Sequence, residues 1–111
     1  MLSFEAFLQT KSRNEWVRVS PHGTLTLYIR KTPNEPRWIK LYGHLQIANM
    51  LNENPGHGEL KKFLSNQEPH FDFFIENILN ERLIRFFESR GYKVKPNSLM
   101  DMCPSYLYSR E

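Results

Sequence analysis

The residues best suited to chemistry form a glycine-rich turn, Gly56-His57-Gly58, between a strand-like segment and a helix-like one. Glycines let the backbone approach phosphate oxygens closely. The first free N–H groups of a helix point at such an anion, with the positive end of the helix dipole behind them. We therefore expect this turn to bind a phosphate group. The alternative interpretation is a flexible turn that only leads into a helix.

Hydrophobic periodicity predicts a helix and a strand hairpin before this turn. Residues 2–10 place their apolar side chains on one helical face, and Ser3 is suited to cap that helix. Residues 15–20 and 24–31 alternate in polarity on either side of the turn residues Pro21-His22-Gly23. We expect a short helix followed by an antiparallel hairpin.

The apolar segment 38–51 is predicted to be a third strand that leads into the glycine turn. Its β-branched and aromatic residues and its alternation suit a pleated strand better than a helix. Strict alternation would place Ile47 and Asn49 on one face of this strand and Ala48 and Met50 on the other. The glycine turn would then follow the carboxyl end of the strand.

The second half of the chain predicts two helices on either side of a buried strand. Apolar residues recur at helical spacing over 60–64. The segment 71–75 is almost entirely apolar, which is typical of a strand buried on both faces, as parallel strands are. Asn80 can cap a helix over 81–90, and Gly91 stands where a helix commonly ends.

The order of these elements predicts an α+β fold with a mixed sheet and helices packed on it. Residues 92–94 are expected to be extended, and a last strand is expected within 98–109, where Pro104 interrupts the pattern. Crossovers between parallel strands are right-handed in nearly all cases, and ligands of open α/β sheets bind at the carboxyl ends of the strands. The glycine turn lies at that end.

Composition excludes several classes of protein. The 111 residues predict a single domain over 1–111, and 40% hydrophobic with 14% aromatic residues predict a packed core. No apolar run could span a bilayer, and we find no signal-peptide pattern, so we expect a cytoplasmic protein without membrane contact. The net charge of +3 is spread along the chain rather than gathered in a basic stripe, which argues against nucleic-acid binding.

The cysteine and histidine content argues against a bound metal. Cys103 is the single cysteine, so an intramolecular disulfide is excluded. The four histidines are scattered and give no zinc-ligand spacing. We expect no structural metal ion.

Two segments resemble the motifs of the GNAT N-acetyltransferase superfamily. Residues 80–92, NERLIRFFESRGY, resemble the family pattern of asparagine, two residues, alanine, two residues, phenylalanine-tyrosine-glutamate-lysine, one residue and glycine-phenylalanine. Residues 53–58, ENPGHG, resemble its pyrophosphate loop, in which arginine or glutamine precedes two glycines. The two motifs span about residues 45–92, and the flanking antiparallel strands fit the sheet order of the family. The stretch before the second motif, Ile75 to Leu79, also looks like that of small phage-encoded members.

The resemblance implies an acetyl-coenzyme A-dependent enzyme that transfers the acetyl group directly to an amine. The pantetheine arm would run beside Ala48, Asn49 and Met50 between splayed strands, and the pyrophosphate would bind the amides of Gly56, His57 and Gly58. In the same way, the resemblance places Asn80, Phe86 and Phe87 beside the reactive end of the cofactor. Met50 would supply the N–H that stabilises the oxyanion. The amine acceptor could be a small molecule or a protein.

For a general base we consider Glu76, at the carboxyl end of its strand and on the opposite face from Phe73 and Ile75. The alternative for Glu76 is a surface carboxylate in an ion pair. His44 and Glu53 are further candidates for the base.

Three departures from the family pattern bear on catalysis. Glu53 replaces the usual arginine or glutamine, Leu83 replaces alanine, and Phe87 replaces the tyrosine that protonates the leaving thiolate in many members. Phenylalanine has no proton to give. The candidates that could replace this acid are Tyr92, Tyr106 and Tyr108.

The departures keep a second function open. The alternative hypothesis is a non-catalytic GNAT-like interaction or coenzyme A-binding module. The terminal strand could also pair across a homodimer.

Overall fold

The architecture comes from a computed structural model, which describes residues 1–31, 44–53, 58–76, 78, 80–94 and 105–109. These residues form seven strands and three helices. In chain order the elements are β1 (Leu2–Ser3), α1 (Phe4–Gln9), β2 (Asn14–Arg18), β3 (Leu25–Lys31), β4 (His44–Asn52), α2 (Glu59–Gln67), β5 (Asp72–Ile75), α3 (Glu81–Ser89), β6 (Lys93–Val94) and β7 (Tyr106–Tyr108).

The seven strands form one mixed sheet with the order β1-β2-β3-β4-β5-β7-β6. The β1–β2 and β4–β5 pairs are parallel, and the other neighbouring pairs are antiparallel. The predicted α+β fold with a mixed sheet is therefore confirmed. The predicted parallel pair lies at the centre of the sheet, with α2 as its crossover.

The N-terminal elements follow local sequence signals. The N–H of Ala6 donates to Ser3 Oγ at 3.1 Å, which is the predicted cap of α1. Strands β2 and β3 form the predicted hairpin, with Val17 opposite Leu27. Strand β1 was not predicted, because a two-residue strand has too few residues to show a period.

Strand β4 contains a bulge that the predicted alternation did not foresee. Tyr28 on β3 lies opposite Asn49, but the next residue, Ile29, lies opposite Ile47, so Ala48 is the extra residue. Met50, opposite Leu27, consequently lies on the same face as Ile47, and Asn49 lies on the opposite face with Tyr28. The predicted faces of Asn49 and Met50 are therefore wrong. The predicted residues 38–43 of this strand lie outside the described ranges.

The C-terminal elements agree with the predictions from sequence. Strand β5 is parallel to β4, with Phe73 and Ile75 buried. Helix α3 begins at its predicted cap, where Asn80 Oδ1 accepts a hydrogen bond from Arg82 N at 2.8 Å. It ends before Gly91, whose positive φ of 89° favours glycine. Strands β6 and β7 correspond to the two predicted C-terminal extended segments.

The core lies on one face of the sheet, under α1, α2 and α3. The Phe63 ring of α2 makes edge-to-face contacts with Phe4 of α1 at 4.9 Å and with Phe73 of β5 at 6.2 Å between ring centroids. On the opposite face of the sheet, Trp16 and Tyr28 are half-buried, and their rings are 5.4 Å apart. In the parts of the chain that the structure describes, no helix has the length and apolar character needed to cross a membrane.

Candidate functional site

A cleft opens where β4 and β5 separate. The two strands pair from His44 opposite Asp72 to Ile47 opposite Ile75, and the last bond runs from Glu76 N to Ile47 O at 3.0 Å. Beyond this bond β4 continues to Asn52, whereas β5 has ended. The divergence begins at the bulge and leaves a cavity of about 170 Å³ between the strands.

The cleft brings together half of the site residues predicted from the sequence. Its walls come from the bulged part of β4, from the end of β5 and its connection to α3, and from the first turn of α3. The residues are Ile47, Ala48, Asn49, Met50, Ile75, Glu76, Ile78, Asn80 and Leu83. The predicted cofactor contacts Ala48, Asn49, Met50 and Asn80 and the predicted base Glu76 are all among them.

The backbone N–H of Met50 already has a local partner. It donates to Oδ1 of Asn49, the preceding residue, at 2.8 Å. Asn49 is exposed, and Met50 packs against the core through its half-buried side chain. A ligand that binds this N–H therefore has to displace a neutral side-chain amide.

Glu76 lies at the other side of the cleft and forms an ion pair. Its Oε2 is 3.4 Å from Nη1 of Arg30 on β3, and the Arg30 guanidinium lies over the Tyr28 ring at 5.7 Å. Arg30 and Tyr28 share the sheet face opposite the core residues Leu27 and Ile29. The predicted face of Glu76 is therefore confirmed, and the ion pair proposed as its alternative role is present.

The N-terminus of α2 is held against the β2–β3 turn. The carboxylate of Glu59 accepts hydrogen bonds from the N–H groups of Thr24 at 2.9 Å and Leu25 at 2.7 Å. Gly58 precedes the helix with a φ of 72° and supplies no side-chain cap. This residue lines a separate groove of about 320 Å³ between α1 and α2, and it is not among the residues that line the cleft.

The other predicted cofactor contacts that the structure describes do not line the cleft. Gly56 and His57 lie outside the described residues. The Phe87 ring is fully buried and contacts Tyr92 at 5.0 Å, and Phe86 is half-buried beside Phe87. From α3 it is Leu83 that lines the cleft.

The tyrosines considered as acids are engaged elsewhere. Tyr92 donates to Glu68 Oε2 at 2.9 Å, and burial followed by this bond raises its pKa. Tyr106 donates to Glu88 Oε2 at 3.1 Å, and burial likewise raises the pKa of Tyr106. The Tyr108 ring packs on Tyr92 at 5.1 Å. None of these three tyrosines lines the cleft.

The two further candidates for the base lie at the ends of β4. His44 is the first residue of the strand and pairs with Asp72. Glu53 follows the strand, is exposed, and donates its N–H to Thr24 O at 3.4 Å. Glu53 does not line the cleft.

Sequence reasoning missed two residues that shape the site. Arg30 stands in an alternating strand, which indicates an outward-facing side chain but does not reveal a partner 46 positions away. Leu83 stands out in the sequence as a departure from the family motif, and its place in the cleft wall depends on how α3 lies over the cleft.

Comparison with models of known protein families, with curated proteins and with solved structures found no match.

Proposed function

We propose that this protein is an acetyl-coenzyme A-dependent N-acetyltransferase that transfers the acetyl group directly to an amine. The cleft between β4 and β5 supports the proposal, because it joins Ala48, Asn49, Met50 and Asn80, the cofactor contacts implied by the resemblance to the GNAT superfamily, with Glu76, the predicted base.

The part of β4 beyond Ile47 suits a ligand that pairs like a strand. Among the described residues, Asn49, Met50 and Leu51 pair with β3 on one side and have no paired strand on the side of β5. A pantetheine arm carries two amide groups, which can exchange hydrogen bonds with such an edge. The cavity of about 170 Å³ would take the acetyl end of this arm.

The N-terminus of α2 is the proposed contact for the pyrophosphate. Helix N-terminal amides attract anions, and Gly58 brings the backbone into the helix without a side chain in the way. The negative charge of the Glu59 carboxylate disfavours the binding of an anion at this helix N-terminus. It is neutralised in part by the Thr24 and Leu25 N–H groups, which hold it against the hairpin.

The transfer would proceed without a covalent enzyme intermediate. The amine nitrogen attacks the thioester carbonyl carbon, a C–N bond forms, and the C–S bond breaks; the coenzyme A thiolate is protonated by water, and the hydroxide so formed takes the proton that the amine loses, by way of Glu76. Glu76 accepts the proton that the amine loses. Met50 N–H donates to the carbonyl oxygen as negative charge develops on it.

A titration calorimetry experiment with acetyl-coenzyme A tests the binding step. Gly58→Glu places bulk and negative charge at the N-terminus of α2 and should abolish binding. Gly91→Glu is the matched control, because Gly91 also has a positive φ and open space around the position of a Cβ. The two variants carry the same charge change and similar backbone strain. Equal loss of affinity in both, or no binding by the wild type at millimolar ligand, would reject the proposal.

A non-catalytic coenzyme A-binding module is the second candidate. It is favoured by Phe87, which is fully buried and has no proton to give, and by the existing bond between Met50 N–H and Asn49. Binding of acetyl-coenzyme A without release of free thiol in the presence of a panel of amines would select this candidate.

A further inference from the structure

We infer that the acceptor is a free α-amino acid with an apolar side chain, whose carboxylate binds Arg30 and whose amine binds Glu76. The inference rests on the proposed function, because it concerns the acceptor side of the same cleft. Four neighbouring side chains on the sheet face opposite the core support it. They are the Arg30 cation, the Glu76 carboxylate and the aromatic rings of Tyr28 and Trp16.

The Arg30–Glu76 ion pair is suited to exchange its partners with a ligand. Its closest atoms are 3.4 Å apart, and the side chains are 41% and 27% exposed, respectively. An ion pair of this exposure contributes little to stability. Replacing one loose contact by two contacts to a zwitterion therefore costs the protein little.

The short distance between the Arg30 and Glu76 charges indicates which class of zwitterionic ligand can bind both. An α-amino acid carries its amine and carboxylate on one carbon atom, so the two groups can approach neighbouring side chains of opposite charge at the same time. Guanidinium groups bind carboxylates in a two-pronged geometry. The amine would then lie at Glu76, which also lines the cleft proposed for the thioester.

The aromatic residues beside Arg30 supply an apolar contact. Tyr28 lies under the Arg30 guanidinium, and Trp16 lies opposite Tyr28 on the neighbouring strand. Both rings are half-buried, with a centroid separation of 5.4 Å. An apolar amino-acid side chain can pack on these rings while its charged groups bind the ion pair.

Binding of matched pairs of ligands tests the inference without relying on turnover. L-Phenylalanine, L-leucine and L-methionine are titrated into the protein saturated with coenzyme A, beside their carboxamides, at about pH 6, where the amines are protonated. We expect each acid to bind about tenfold more tightly than its carboxamide, the size of one charged hydrogen-bonded contact. Arg30→Gln should weaken the binding of the acids by about tenfold and leave the affinity for the carboxamides unchanged.

Arg18→Gln is the control variant. Arg18 is exposed on the same sheet face, opposite Thr26, and its substitution makes the same change in charge. Arg18→Gln should leave the affinities for the acids and for the carboxamides unchanged. Equal affinity for acids and carboxamides, absence of acid binding, or an acid preference that survives Arg30→Gln overturns the inference.

The failure of this inference differs from the failure of the proposed function. If acetyl-coenzyme A binds and simple amines without a carboxylate are acetylated as well as the amino acids, only the acceptor class is wrong. If the wild type does not bind acetyl-coenzyme A, the proposed function is rejected, and the acceptor inference falls with it.

Discussion

Asn49 Oδ1 accepts a hydrogen bond from the backbone N–H of Met50 at 2.8 Å, on the wall of the cleft between β4 and β5. In the proposed reaction this N–H donates to the thioester oxygen. The carboxamide oxygen of Asn49 would therefore compete with the substrate oxygen in that reaction. The bulge at Ala48 sets the face of each residue, because it places Met50 on the core face with Ile47 and Asn49 on the opposite face with Tyr28.

Substituting Asn49 should strengthen the binding of acetyl-coenzyme A. Asn49→Ala removes the competing acceptor, and a neutral hydrogen bond of about 1 kcal/mol corresponds to roughly a fivefold gain in affinity. Titration calorimetry measures the change, with Asn66→Ala, an exposed residue of α2, as the control. Weaker binding by Asn49→Ala would show that the side chain contacts the ligand rather than competing with it.

Neutralising Glu76 should reduce turnover much more than stability. Glu76→Gln removes the proposed proton acceptor, and we expect kcat to fall by about 100-fold with KM for acetyl-coenzyme A unchanged. The unfolding free energy should change by less than about 1 kcal/mol, because the ion pair with Arg30 is partly exposed. Steady-state kinetics and urea denaturation measure the two effects. Glu81→Gln, an exposed carboxylate on α3, is the control, and full activity in Glu76→Gln would exclude its role as the base.

A buried network around Glu68 should make stability fall at alkaline pH. Glu68 accepts hydrogen bonds from Arg90 at 2.6 Å and from Tyr92 at 2.9 Å, and burial followed by the hydrogen bond to Glu68 raises the pKa of Tyr92. The unfolded chain loses this tyrosine proton near pH 10, whereas the folded chain keeps it. The unfolding free energy should therefore fall by about 1.4 kcal/mol per pH unit above that value.

Tyr92→Phe isolates this contribution. The variant should lose about 1 kcal/mol at neutral pH, because one hydrogen bond is removed. Above about pH 10 its unfolding free energy should decline less steeply than that of the wild type. Tyr106→Phe should remove a separate and additive part of the decline, since burial also raises the pKa of Tyr106. Parallel pH profiles for wild type and Tyr92→Phe would contradict the assignment.

A methyl group at position 23 should loosen the N-terminus of α2. A Cβ on Gly23 would overlap the Glu59 carboxylate and the Ser20 hydroxyl. Gly23→Ala should lower the unfolding free energy by roughly 1–3 kcal/mol, because Glu59 has to leave the N–H groups of Thr24 and Leu25.

The same substitution in a Glu59→Ala background provides the check. Most of the cost of Gly23→Ala should disappear there, because the carboxylate it displaces is gone. The remaining cost would come from the contact with Ser20. If the effects of the two substitutions are additive in a double-mutant cycle by urea denaturation, Glu59 is not the residue that Gly23 accommodates.

Local signals in the sequence predicted most of the elements around the site. Ser3 and Asn80 cap their helices as expected, and the apolar run at 71–75 is the buried parallel strand. Caps and buried strands depend on residues close in the chain, so periodicity and residue type suffice to predict them. The placement of Glu76 on the face opposite Phe73 and Ile75 follows from the same rule.

The features that sequence reasoning missed depend on contacts between distant parts of the chain. The bulge at Ala48 follows from the register with β3, and strict alternation therefore put Asn49 and Met50 on the wrong faces. The Arg30–Glu76 pair joins strands that lie on either side of β4. No pattern along a single segment of the sequence predicts such a contact between distant residues.

The separation of β4 from β5 divides one strand into two halves with different protection from solvent exchange. Leu45 and Ile47 lie between two paired strands, whereas the residues after Ala48 pair only with β3 among the described strands. Amide deuterium uptake in β4 should therefore be slow before the bulge and faster after it. A ligand that pairs with the second half of β4 would slow amide exchange there to the rate of the first half. Amide exchange in β4 would therefore measure whether the cleft is occupied.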